Sequence, residues 1–285
     1  FYAESGGQAG DSGVLKSETG EIVNILNTTK ENNLNIHIAD RIPVDKNVIF
    51  HASVDSQKRE ETAANHTATH LLHYALRQVL GTHIEQKGSS VTSTSFRFDF
   101  SHFEKISEDH LREVERLVNK LIRQDIHKEE HRELPIEQAR EMGAMALFGE
   151  KYGDRVRVIR YGDSVELCGG THASSTGRIG SFKIVSESAV AAGVRRIEAI
   201  TGRHVESAMY FLEDQLKSIR QLLGNAPDAI KGLMKVLSEN ETQKKALQEV
   251  AMERVQTLKK ALIEESVEIN GIRLFSVRGA FVPDI

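Results

Sequence analysis

The spacing of apolar residues changes twice along this 285-residue chain, and those changes constrain its fold more than any other feature. Through residue 56, Gly, Ser, Asn and Thr separate short β-branched runs at Glu21–Leu26, Leu34–Ile38 and Asn47–Phe50. Such runs bounded by turn formers predict a small β-rich unit over residues 1–56. From Glu60 to Leu80 the period shifts. Ala64, Leu71, Leu72, Ala75, Leu76 and Val79 recur at three and four residues, and Gly81 follows. That pattern predicts an amphipathic helix with a glycine stop.

Ser89 to Phe100 then alternates as a strand with Phe96, Phe98 and Phe100 on one face, and Glu108 to Ile126 returns to a helical stripe. Val156–Tyr161, Ser181–Val185 and Arg195–Ile200 read as further strands. Residues 57–203 are therefore expected to form an α+β domain with helices and strands segregated. Beyond Gly202 the second change sets in. Val205, Met209, Leu212, Leu216, Ile219 and Leu223 form one stripe, Gly224–Pro227 interrupts it, and Ile230, Leu233, Leu237, Leu247 and Leu258 resume it under mixed charges. Residues 204–268 are expected to be a helical hairpin or coiled-coil arm. Residues 269–285 would begin a further domain with a strand at Ile272–Val277. The opening at Phe1 and the apolar run at the end read as a piece cut from a longer polypeptide.

One cysteine cannot form an internal disulfide, which excludes a disulfide-stapled secreted domain and fits a reducing, cytoplasmic location. No apolar run reaches the roughly 18–20 residues of a membrane helix, so no membrane partner is expected. With 37 Lys+Arg against 41 Asp+Glu the net charge is -4, which is not the profile of a whole-surface nucleic-acid binder. Contact with nucleic acid would have to come from local basic groups. Arg178, Lys183, Arg195 and Arg196 form the best such set, and each is as readily ordinary surface charge.

The chemistry concentrates in two pairs at the same spacing. His66-Thr-Ala-Thr-His70 puts two imidazoles on one helix face, and Cys168-Gly-Gly-Thr-His172 adds a thiol and a third imidazole. Either pair alone is weak: helix histidines are often solvated, and a single cysteine is often an inert buried thiol. Together, one Cys and three His make a borderline-soft set suited to zinc. No Glu lies between His66 and His70, which disfavours the peptidase arrangement with a helix carboxylate as base. Spacing alone does not decide between a closed structural site and a catalytic one. Thr69 shares the face of His66, His70 and His73; its hydroxyl could meet a ligand or bond back to the Asn65 carbonyl. On residue type alone, Gln86 is a polar residue beside a turn.

Five motifs, in order, carry a resemblance: Phe1-Tyr-Ala-Glu-Ser-Gly-Gly-Gln-Ala-Gly-Asp-Ser-Gly13, His66-Thr-Ala-Thr-His70-Leu-Leu-His73, Gln86-Lys-Gly-Ser89, Phe148-Gly-Glu-Lys-Tyr-Gly153 and Glu166-Leu-Cys-Gly-Gly-Thr-His172. Over about residues 1–203 the chain resembles the editing region of alanyl-tRNA synthetases and their free-standing relatives, the alanyl-tRNA editing proteins. The following helices resemble the synthetase's link to its C-terminal domain. The resemblance implies a deacylase that removes mischarged serine or glycine from the acceptor end of tRNA(Ala). The need is physical: serine is alanine plus a hydroxyl, which a small apolar pocket rejects only by roughly a hundredfold.

By the same resemblance His66, His70, Cys168 and His172 would bind one zinc ion, Thr69 would meet the seryl hydroxyl, and Gln86 and Cys168 would join Thr69 in the deacylation site. Arg178, Lys183, Arg195 and Arg196 would contact tRNA phosphate. ATP would serve only the parent enzyme's ligase domain, absent here, and a homodimer could form through the helical arm or the missing C-terminal domain. A free-standing editing protein, a threonyl-type editing domain and a non-catalytic zinc-stabilised tRNA-binding module remain alternatives.

Overall fold

A computed structural model describes residues 1–32, 34–145 and 153–274. Phe1–Met209 and Tyr210–Ile285 are two compact units. The chain is a mixed structure of antiparallel sheets and helices, consistent with the α+β expectation.

The first unit opens with β1 (Gly13–Ser17), β2 (Ile22–Glu31), β3 (Leu34–Ala39) and β4 (Phe50–Val54), an antiparallel sheet in the order β3-β2-β1-β4. The run expected at Asn47–Phe50 joins the sheet only at Phe50, which pairs with Ser17. Asn47 turns on the Asp45 side chain instead, its N–H donating to Oδ1 at 2.8 Å. β1 carries only two apolar residues and has no alternation for a sequence reading to find.

Helix α1 (Ser56–Leu80) starts where Asp55 accepts the Lys58 N–H at 3.0 Å and ends at Gly81, whose φ of +115° suits glycine. It is not a helix with one wet face. From Thr62 to Leu76 every residue except Tyr74 is buried. The apolar side packs on a sheet; the polar side bearing the histidines is roofed by other segments.

That sheet runs β10-β11-β6-β5, built from β5 (Gln86–Val91), β6 (Phe96–Ser101), β10 (Phe182–Ala191) and β11 (Val194–Thr201). The single strand expected over Ser89–Phe100 is therefore a hairpin. Thr92–Ser95 make its turn, and the Thr92 hydroxyl accepts the Thr94 and Ser95 N–H groups at 3.3 and 3.2 Å. Hydroxyls do the work usually marked by Gly or Pro, so the turn is silent in the pattern. Helix α2 (Glu108–Arg123), capped by Ser107, lies against α1. Leu71, Leu72 and Leu76, Val118 and Ile122, and Phe96, Phe98, Phe100 and Ile197 form the main core. Burial of each such side chain contributes about 1.5–3 kcal/mol.

A smaller layer consists of β7 (Glu129–Pro135), α3 (Ile136–Glu141), β8 (Arg155–Tyr161) and β9 (Ser164–Leu167), with sheet order β7-β8-β9. Ala139, Val156, Val158, Val165 and Leu167 form its own core. The sequence motif at Phe148–Gly153 lies outside the described residues except for Gly153.

Helix α4 (Arg203–Leu222) begins in the first unit and continues into the second. The second unit also holds α5 (Ala229–Glu264), capped by Asp228, and the hairpin β12 (Val267–Ile269) and β13 (Ile272–Leu274). No α5 residue is buried, so the stripe through Ile230, Leu233, Leu237 and Leu247 stands exposed. Residues 275–277 of the strand expected at Ile272–Val277 lie outside the described residues. Among the described residues no helix is long and apolar enough to cross a membrane.

Candidate metal centre

Residues about a hundred positions apart converge where β9 ends and the chain crosses the polar side of α1. His66 Nε2 lies 3.4 Å from Cys168 Sγ, and His172 Nε2 lies 3.2 Å from the same sulfur. One donor atom from each of His66, His70, Cys168 and His172 falls within 4.8 Å of the others. These four could hold a metal ion, and three imidazoles with one thiolate are a donor set that fits zinc. His70 faces Glu166 Oε2 through Nε2 at 3.2 Å, which leaves its Nδ1 buried, with no partner among the described residues, and available to an ion. Burial pushes His66 down to about 3 and lowers His70 and His172 as well. All three rings are thereby held in the neutral form that ligates metals.

Glu166 and His73 extend the cluster. Burial alone would raise the Glu166 carboxyl, but His70 and His73 beside it more than offset that and bring it down to about 2. His73 is buried, with Nδ1 3.0 Å from Glu166 Oε1, so it orients the carboxylate rather than facing solvent.

A cleft of about 160 Å³ opens on this cluster, lined also by Tyr2, Ser5, Thr69, Gln86 and Ser89. The Thr69 hydroxyl donates to the Asn65 carbonyl at 2.9 Å, which leaves its lone pairs facing outward as acceptors. Gln86 Nε2 donates to Ser89 Oγ at 3.2 Å. Burial raises the Tyr2 phenol to about 12, so it stays protonated and donates to the Ser5 carbonyl at 3.1 Å.

Of the four basic residues, only Arg178 borders a concavity near the cluster: with Arg59, Thr171, His172 and Ser174 it lines a second cleft of about 370 Å³. Lys183 meets Glu115 at 3.0 Å, Arg195 pairs with Glu187, and Arg196 grips both Asp99 oxygens at 2.6 and 2.8 Å.

Several residues that shape the site escape a reading of the sequence. Arg157 on β8 donates through Nη1 to the carbonyls of Cys168 and Gly170 at 2.9 and 2.7 Å. Its Nε donates to Glu130 Oε1 on β7 at 2.9 Å. Arg132 and Arg157 hold the Glu130 carboxyl down to about 2. Gln8 bonds His66 and the Thr171 backbone. Only Gln8 sat inside a quoted motif; β7 reads Glu-Glu-His-Arg-Glu, too polar to suggest a strand, so nothing flagged Glu130.

The Threonyl and Alanyl tRNA synthetase second additional domain matches residues 156–198, which carry Cys168 and His172. Over 275 residues the chain is 53% identical to the alanine–tRNA ligase of Porphyromonas gingivalis, covering 96% of this chain and 31% of that protein. The alanine–tRNA ligase of Bacteroides fragilis is 53% identical over 274 residues with the same coverage. That of Cytophaga hutchinsonii is 50% identical over 278 residues, 96% of this chain and 32% of the ligase. The chain is thus homologous along almost its whole length to alanine–tRNA ligases, of which it spans about a third.

Proposed function

We propose that this chain is the editing part of an alanine–tRNA ligase, hydrolysing Ser-tRNA(Ala) and Gly-tRNA(Ala), with His66, His70, Cys168 and His172 holding one zinc ion. The meeting of His66, His70 and Cys168 with Thr69 and Gln86 around one small cleft, with His172 closing the donor set behind them, carries the reading. A volume of about 160 Å³ has room for a small aminoacyl group. The Thr69 hydroxyl accepts from a seryl hydroxyl because its own proton is directed to Asn65. Alanine offers no such donor, so the site sorts serine from alanine by chemistry where size cannot. Zinc bound there supplies Lewis-acid polarisation at the ester carbonyl or the attacking water. Gln86 presents an amide at the cleft wall, and the Tyr2 phenol, whose proton goes to the Ser5 carbonyl, offers its oxygen there as an acceptor.

Arg178, which lines the second cleft with His172, is the residue we assign to acceptor-end phosphate. Lys183, Arg195 and Arg196, each facing a carboxylate, have less to offer tRNA. The exposed stripe of α5 supports a role for residues 204–268 as an arm that joins two copies. ATP-dependent ligation belongs to the parent enzyme, outside this chain.

Hydrolysis of Ser-, Gly- and Ala-tRNA(Ala) by the zinc-loaded protein tests the reading. Ser- and Gly-tRNA(Ala) should be cleaved faster than Ala-tRNA(Ala). Cys168→Ala should abolish cleavage, and Thr69→Val should narrow the serine-over-alanine preference by about tenfold, the worth of one hydrogen bond. A folded, zinc-loaded protein that binds tRNA(Ala) but cleaves none of the three would instead be a binding module.

A further inference from the structure

We infer that Gln8, far from the cluster in sequence, is a positioning residue that fixes which nitrogen of His66 faces the metal; this rests on the zinc-site reading above. Gln8 is 1% exposed, and its Oε1 lies 2.7 Å from His66 Nδ1 and 2.8 Å from the Thr171 backbone nitrogen. A backbone N–H can only donate, so the side-chain atom facing Thr171 must be the carbonyl oxygen. The amide orientation is thereby assigned by the bond pattern, and Nε2 then donates to Thr171 Oγ1 at 2.9 Å. With Oε1 an acceptor, His66 Nδ1 must carry the proton. Nε2 is left with its lone pair, 3.4 Å from Cys168 Sγ. A second partner that fixes the tautomer and direction of a ligating imidazole is a common device at metal sites.

The same amide ties both halves of the cluster together. It bonds His66 on α1 and, through Thr171, the residue preceding His172. The Gln8 backbone is held independently. Its N–H donates to the Ser5 carbonyl at 2.9 Å, and the Ala9 N–H donates to Val91 at 2.9 Å. Altering the side chain therefore leaves the segment anchored.

Two measurements test this. On the zinc-loaded wild-type protein, ¹⁵N NMR of the histidines should give a proton on His66 Nδ1 and none on Nε2; the reverse pattern overturns the inference with no mutant needed. Gln8→Glu keeps an acceptor toward Nδ1, whereas Gln8→Leu removes it. Zinc competition should place Gln8→Leu about 10–100-fold weaker than wild type and Gln8→Glu within a few-fold. The cobalt-substituted absorption spectrum should shift in the leucine variant alone. Equal affinity and an unchanged cobalt spectrum in Gln8→Leu, or a loss as large in Gln8→Glu, overturns the role of Gln8 while leaving the metal centre standing. Failure of the wild-type protein to take up one zinc or cobalt ion overturns both.

Discussion

Replacing Gly170 by alanine inserts one methyl group between the two halves of the candidate metal centre. A Cβ on Gly170 would sit 2.1 Å from His66 Cε1, 2.4 Å from its Nδ1 and 2.7 Å from Gln8 Oε1. Ordinary contact begins near 3.4 Å, so the ring or the loop must retreat by more than an ångström. The ring cannot turn aside cheaply, because it is buried on α1 and bonded to Gln8. Overpacking of this kind costs about 1–3 kcal/mol. Metal–ligand distances tolerate only about 0.2 Å, so zinc affinity should fall by well over tenfold. Gly169→Ala is the matched control, since nothing lies within 4 Å of a Cβ there. Zinc competition and urea unfolding of the two variants would separate them. Should Gly170→Ala bind zinc and unfold as Gly169→Ala does, the close packing of the loop on His66 would be refuted, and with it the packing that fixes the site.

Arg157→Leu should release the carbonyls of Cys168 and Gly170 and lower stability by about 1.5–3 kcal/mol in urea, the worth of a hydrogen bond to a charged group. Arg157→Lys, lacking the planar fork, should recover only part of it. Asp11 is buried and paired with Arg59; burial acts to raise its carboxyl, but bonds from Arg59 and the Tyr2 N–H prevail and lower it. A depressed folded value means stability present above the unfolded range near 4 and lost as pH falls through the folded value. Asp11→Asn should therefore be less stable than wild type at pH 7, with the gap closing below pH 4 in acid unfolding followed by circular dichroism.

The long helices were readable because apolar spacing and caps agree: Asp55 and Gly81 bracket α1, and the Gly224–Pro227 break falls between α4 and α5. The candidate donor set is legible for a similar reason, since donors four residues apart share a helix face or a tight loop. What stayed hidden depends on contacts between distant segments. The polar face of α1 reads as solvent-exposed, and only the covering loop and the N-terminal segment make it interior. Glu130 and Arg157 read as surface charge until β7 pairs with β8. Gln8 is 58 residues from His66 and 163 from Thr171, a partnership no local pattern encodes. The β5–β6 turn escaped because its hydroxyls, rather than Gly or Pro, close it.

The candidate ligands come from two layers: His66 and His70 from a helix of the main core, Cys168 and His172 from the loop leaving the smaller β7-β8-β9 sheet, whose Ile159 and Tyr161 also pack into the main core. An ion shared between them is a cross-link closing a loop of roughly a hundred residues, the kind of constraint whose loss gives the unfolded chain the most freedom. The smaller layer has five buried apolar residues of its own. Its cohesion would therefore come in part from a bound ion, beside Arg157 and the Ile159 and Tyr161 side chains that reach the main core. Opening of that layer and release of a bound metal would become one event, so local unfolding there would empty the site.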